Sequence, residues 1–260
     1  MRLVSTYASY AAITRDLGQS LKRVQSQPTV ERDTQYYLEN IEKVKNIDDF
    51  VNDRRLFGYA MKAFGLADMT YAKAFMVKVL KEGIDDSESF ANSLSDQKYK
   101  AFAETFNFAR FGETTTIFEK TRQGTVDRYV RQTLEEDAGV SNEGVRLALY
   151  FERKAPDIKT MYGVLADGAL SKVVRTSLGL PESFAMLDID KQVEYLEKKI
   201  DIEDFKDPEA LSKFLTRFTS MWEISNPTAS PISNMTVLFG QPTEFGISTD
   251  VLLTLQRLKF

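Results

Sequence analysis

The sequence predicts an all-α protein built of two tandem, related helical subdomains. Three observations carry that expectation. Apolar residues recur at steps of three and four through most of the chain up to Trp222. Capping residues and glycine stops punctuate them. A run of these features is also written twice, as DRRLFGYAMKAFGL at 53–66 and DGALSKVVRTSLGL at 167–180.

The first element is a stripe of Leu3, Tyr7, Tyr10, Ile13, Leu17, Leu21 and Val24, read as one amphipathic helix within residues 1–29 that Pro28 closes. VERDTQYYLENIEKVKN follows as a second helix. Asp48, or Asn52-Asp53, then caps LFGYAMKAFGL, whose inner face is Leu56, Tyr59, Ala60 and Phe64. Gly65 supplies the left-handed exit and Leu66 folds back on the last turn.

Asp68 is expected to cap MTYAKAFMVKVLKEG, with Tyr71, Ala72, Phe75, Met76, Val79 and Leu80 on one face until Gly83. Ser95 opens DQKYKAFAETFNFARFG, which carries Tyr99, Phe102 and Phe106 to a stop at Gly112. TVDRYVRQTLEEDAG and NEGVRLALYFERKAP read as helices closed by Gly139 and Pro156. DPEALSKFLTRFTSMW is the cleanest signal: Asp207 caps, Pro208 takes the first helical position, Glu209 matches the dipole, and Leu211, Phe214, Leu215 and Phe218 face the core. Beyond Trp222, turn-rich SNPTASPISN and GQPTEFG flank the strand-like TVLF, and a last helix, STDVLLTLQRLKF, places Val251, Leu255 and Leu258 on one side.

From Tyr36 the chain overlays itself at a constant shift: Tyr36 on Tyr150, Val44 on Ile158, Phe50 on Val164, Asp53 on Asp167, and Gly65-Leu66 on Gly179-Leu180, always 114 positions apart. Farther on the shift drifts by about two residues, as length changes in loops would cause. The expected organisation is therefore a helix at 1–29, a first helical copy at 30–140, a second at 141–225 and a tail at 226–260.

Composition narrows the chemistry. Among 260 residues, 43% are apolar, enough for a sizeable core, and the net charge of -4 comes from interspersed signs. No basic field exists to hold a nucleic acid backbone. The sequence has neither cysteine nor histidine, which excludes disulfides, thiolate nucleophiles, histidine-assisted serine chemistry and zinc sites with nitrogen or sulfur ligands. We expect no cofactor and no transition metal, no cleavable secretory signal and no membrane span.

No P-loop, GxGxxG, HExxH or GxSxG occurs, and Asp201, Glu203, Asp204 and Asp207 lack the glycine and spacing of an EF-hand. Tyr129, Arg131 and Glu135-Glu136-Asp137 can be drawn as a polar site, but at helical spacing they read more simply as a solvent face. No pair of carboxylates is singled out for catalysis, and the protein is expected not to be an enzyme. The terminal stripes, Leu3, Tyr7, Tyr10, Leu17, Leu21 and Val24 at one end and Val251, Leu255 and Leu258 at the other, repeat as a coiled-coil seam does. Each packs either on its own domain or on a partner, and they are the candidate partner-binding residues.

The segments IEKVKNIDDFVNDRRLFGYAMKAFGLADMTYAKAFMVKVLKEG, FGETTTIFEKTRQGTVDRYVRQTLEEDAG, NEGVRLALYFERKAP and LSKFLTRFTSMWE resemble a bacterial domain family of unknown function, common in rhizobia and related alphaproteobacteria. Its members are often encoded among flagellar genes. The resemblance, over roughly residues 3–225, implies a structural or assembly protein of the bacterial flagellum, located there or in the cytoplasm, whose partner is a flagellar component or itself. The runner-up is a cytoplasmic adaptor or regulator that binds a flagellar export client, and a carboxylate-based enzyme comes third. The family brings no catalytic or ligand-binding residues, and the Ala-Asn-Asn-Leu-Ala-Asn type of motif found in rod and hook proteins is absent.

Overall fold

Two helices stand where the N-terminal stripe predicts one. In the computed structural model, which describes residues 5–226, α1 (Thr6–Thr14) starts at Ser5, whose hydroxyl accepts from the Ala8 amide. A second helix, α2 (Leu17–Gln25), starts afresh at Asp16, whose carboxylate accepts from the Gln19 amide at 2.9 Å. Asp16 offers the backbone a cap in the middle of an apolar stripe, and the cap wins. Tyr10 therefore joins one core and Val24 another. Leu3 and the tail residues Val251, Leu255 and Leu258 lie outside the described residues.

Pro28 opens α3 (Pro28–Ile41) at its first position, where a missing amide hydrogen costs nothing. Next come α4 (Ile47–Asn52) and α5 (Arg54–Ala63), the latter capped by Asp53, which accepts from the Arg55 and Leu56 amides at 2.9 and 3.0 Å. The expected exit from α5 is present: Gly65 has φ 68°, and the Leu66 amide reaches back to the Met61 carbonyl at 2.8 Å. Asp68, in contrast, sits inside a short 3₁₀ turn, and α6 (Lys73–Glu82) begins after Ala72 without a side-chain cap.

After α7 (Phe90–Ser93), Asp96 rather than Ser95 caps α8 (Gln97–Thr105). Asn107 interrupts the expected long helix by capping α9 (Phe108–Phe111), which ends at Gly112 with φ 54°. The longest helix, α10 (Gln123–Ser141), runs through Gly139 and stops at Asn142. A β-carbon at Gly139 would meet the Arg146 side chain at 2.7 Å, so this glycine serves close helix packing instead of a stop. Asn142 caps α11 (Glu143–Lys154), followed by α12 (Met161–Ala166), α13 (Gly168–Ser177), α14 (Ile189–Glu197) and α15 (Pro208–Ser225). Asp207 accepts from the Ala210 amide at 2.8 Å and Pro208 leads α15, as its sequence predicts. Among the described residues there is no β-strand, so the class is all-α.

The described residues up to 225 form one unit with two buried apolar clusters. The first is rich in stacked and edge-on rings, with Phe50 centred 4.8 Å from Phe106 and Phe102 centred 5.0 Å from Phe106. The second holds Phe151, Met161, Val173, Leu196, Phe205 and Phe218. Burying each such side chain contributes about 1.5–3 kcal/mol. Helices α10 and α11 pack against each other; α10 also lies on α2 and α5, and α11 on α1, α13 and α15.

Local geometry recurs at the shift of 114. The bounds of α4 and α12 correspond residue for residue, as do those of α5 and α13. Asp167 caps α13 through the Ala169 and Leu170 amides at 2.9 and 3.1 Å, Gly179 has φ 65°, and the Leu180 amide reaches the Arg175 carbonyl at 2.9 Å.

Candidate functional site

Many of the large apolar side chains left at the surface come from one stretch of the second half: Tyr162, Met186, Leu187, Ile189 and Tyr195. The local sequence explains why. Pro181 leads into a 3₁₀ turn, Glu182–Met186, that buries Phe184 and turns Met186 outward, 87% exposed. Asp188 then caps α14 by accepting from the Asp190 and Lys191 amides at 3.0 and 3.4 Å. The cap fixes the chain so that Gln192, Val193 and Leu196 face inward while Leu187 and Ile189, on either side of Asp188, remain half exposed. Gln192 secures the turn by donating to the Leu187 carbonyl at 2.8 Å.

Tyr162, on α12, joins this surface by donating its phenol to Asp190 at 2.7 Å. The Tyr195 ring lies 5.4 Å from that of Phe184. This stretch is acidic: residues 182–204 contain eight carboxylates and three basic side chains, a net charge of -5 in a chain whose total is -4. Glu194 is paired with Lys198 at 2.6 Å, whereas the hydrogen bond to Asp190, together with the charges of Glu197 and Asp188, raises the Tyr162 phenol above its ordinary value. Exposed apolar side chains with charged residues among them are a form that protein contact sites take.

The N-terminal stripe is placed differently. Tyr10 and Val24 are buried, and Leu17 and Leu21 are half-buried against the first core. Of its described members only Tyr7 is well exposed, at 47%. Tyr7 and Tyr10 line a groove of about 330 Å³ between α1, α11 and α15, together with Arg15, Glu152, Pro208 and Leu211.

Beneath that groove the expected solvent face of α10 is overturned. Arg131 and Glu135 are buried, and Tyr129 stacks on Tyr59 with centroids 3.8 Å apart. Only Asp137 of the acidic triplet is fully at the surface, because α10 is covered by α11 on the side that carries Glu135. Glu135 accepts from Arg131 at 3.0 Å and from two nitrogens of Arg153 at 2.7 Å each, and Arg131 also donates to the Leu149 carbonyl at 2.9 Å. Glu152 stands 3.6 Å from Arg131; burial raises its carboxyl pKa, with the Arg131 charge opposing. Burial, with Glu152 alongside, likewise raises the Tyr10 phenol. Among the described residues no three acidic side chains gather closely enough to hold a metal ion, and no helix is long and apolar enough to cross a membrane.

The exposed apolar surface on α12 and α14 is not among the expectations from sequence, although a signal existed. In AMLDID, Met186, Leu187 and Ile189 surround an aspartate whose capping role leaves no helical register in which all three turn inward.

Comparison with known proteins places this architecture. A family described as "Protein of unknown function (DUF1217)" matches residues 63–211. The chain belongs to that family. It is also similar to an Agrobacterium tumefaciens protein solved by crystallography, with 51% identity and a TM-score of 0.80 across 87% of this chain and 99% of that one. No curated protein matches. The DUF1217 segment begins at the end of α5 and runs into α15, so it contains α10, α11 and the whole α12–α14 surface.

Proposed function

We propose that this DUF1217 protein acts by protein–protein association, as a structural or assembly component of the bacterial flagellum, and not as an enzyme. The observation that carries the association is the exposed apolar surface of Tyr162, Met186, Leu187, Ile189 and Tyr195, held in place by the Asp188 cap and the Tyr162–Asp190 bond. The flagellar setting rests on the sequence resemblance. Tyr7, at the mouth of the groove on α1, is the described member of the terminal stripe best placed to add to a contact. We read the two halves as copies of one helical unit, a reading supported by caps, stops and helix bounds that recur at one shift.

The test is purification of a tagged full-length chain from motile cells, compared with a Met186→Ser, Ile189→Ser variant. A flagellar component should accompany the first in stoichiometric amount and be missing from the second. If both emerge alone, or if the same component accompanies both, the assignment of association to this surface fails. Localising the tagged chain in cells lacking a working flagellar export apparatus separates a structural role from that of a cytoplasmic adaptor bound to an export client. A structural component is redistributed, and an adaptor stays where it was.

A further inference from the structure

The charge around the α12–α14 surface says what kind of partner fits it. Asp188 and Asp190 stand at the start of α14 and Glu197 at its end, and Asp190 accepts the Tyr162 hydroxyl at 2.7 Å. The apolar side chains lie within this acidic frame, since Leu187 and Ile189 flank Asp188 directly. Of the three basic side chains here, Lys191 follows Asp190 in the chain, Lys198 is engaged by Glu194, and Lys199 lies 6.0 Å from the centre of the Tyr195 ring. An acidic or neutral partner would bring like charge to the rim or leave the carboxylates there uncompensated, and like-charge contacts disfavour a complex.

We infer that this surface receives a basic amphipathic helix of a partner protein. The apolar face of that helix covers Tyr162, Met186, Leu187 and Ile189, and its lysine or arginine side chains meet Asp190 and Glu197. This rests on the association reading above and adds the chemistry of the partner. An amphipathic helix laid on an apolar surface takes its affinity from apolar anchors at helical spacing, and its orientation and association rate from the surrounding charge.

The experiment places a photo-crosslinking p-benzoylphenylalanine at Leu187 of the full-length chain in cells and maps the crosslinked peptide by mass spectrometry. The expected peptide has apolar residues at helical spacing and a net positive charge. Asp190→Lys combined with Glu197→Lys should lower the yield by about tenfold or more, the order expected when two rim charges within a Debye length are reversed. A thermal melt of the variant establishes that it is folded. Glu197→Lys alone, which leaves the Tyr162–Asp190 bond in place, should give a smaller loss in the same direction. Crosslinking into an acidic or uncharged segment, into a second copy of this chain or into lipid overturns the inference. So does a yield indifferent to both charge variants. If the crosslink persists in the charge variants but is lost on Met186→Ser, association stands and only the partner chemistry falls; if no crosslink forms, both fall.

Discussion

The hydroxyl of Tyr150 donates to one carboxylate oxygen of Asp167 at 2.5 Å, while the other oxygen of Asp167 caps α13. Tyr36 does the same to Asp53 at 2.8 Å, ahead of α5. One aspartate thus starts a helix and ties it to the preceding long helix. Asp53→Ala and Asp167→Ala should each cost about 0.5–2 kcal/mol for the cap and roughly 1 more for the tyrosine bond. Denaturant unfolding of the two variants checks this. Similar costs agree with two copies of one unit, whereas a large cost at one site and none at the other counts against it.

Glycine matters here for two different reasons. At Gly65 and Gly179 φ is positive, so Gly65→Val and Gly179→Val should each lose about 1–2 kcal/mol through backbone strain. At Gly144 a β-carbon would lie 2.4 Å from the Trp222 ring, so Gly144→Ala should destabilise by forcing α11 away from α15. Gly168 has nothing within 4 Å of a built β-carbon and no positive φ, and Gly168→Ala should leave stability unchanged or raise it slightly. Thermal melts of the four variants would expose an error if Gly144→Ala matched Gly168→Ala.

Glu135 is 1% exposed and accepts from both Arg131 and Arg153. Removing it leaves two guanidinium groups without their common partner. Glu135→Ala should cost about 3–5 kcal/mol, the range for breaking a buried ion pair from one side. A loss under about 1 kcal/mol in denaturant unfolding would mean that the network is far better hydrated than its burial indicates.

Glu152 gives a pH signature. A carboxyl whose proton is held more tightly in the folded state makes that state bind more protons, so its contribution falls as pH rises. The contribution is full below the ordinary glutamate value of about 4.3 and is lost as pH climbs through the raised folded value. Tyr10 faces this carboxyl from α1, and Arg131 and Glu135 face it from α10. Glu152→Gln cannot ionise, so the Tm difference, variant minus wild type, should be more positive at about pH 7 than at about pH 4. A difference that is flat or of opposite slope contradicts the burial argument.

What could be read beforehand follows from what local sequence controls. Asp53, Asp207, Gly65 and Gly179 act on their own backbones, so caps and stops announced themselves. Asp16 and Asn107 obey the same chemistry but sit inside longer apolar stripes, and the stripe hid the break. Arg131 and Glu135 have the spacing of an exposed ion pair; they are buried because α11 covers them, a fact of tertiary packing that no helical period encodes. The exposed apolar surface was missed for a related reason, since the exposure of Met186 and Ile189 depends on where Phe184 and Leu196 find their core.

The most direct measurement is swimming motility of cells whose only copy carries Met186→Ser and Ile189→Ser at wild-type protein level. Both side chains are substantially exposed, so the fold should keep its Tm within a few degrees, as surface changes of about 0.5 kcal/mol allow. Association through this surface predicts that motility is lost while the protein stays folded. Normal motility with the variant folded and abundant would contradict it.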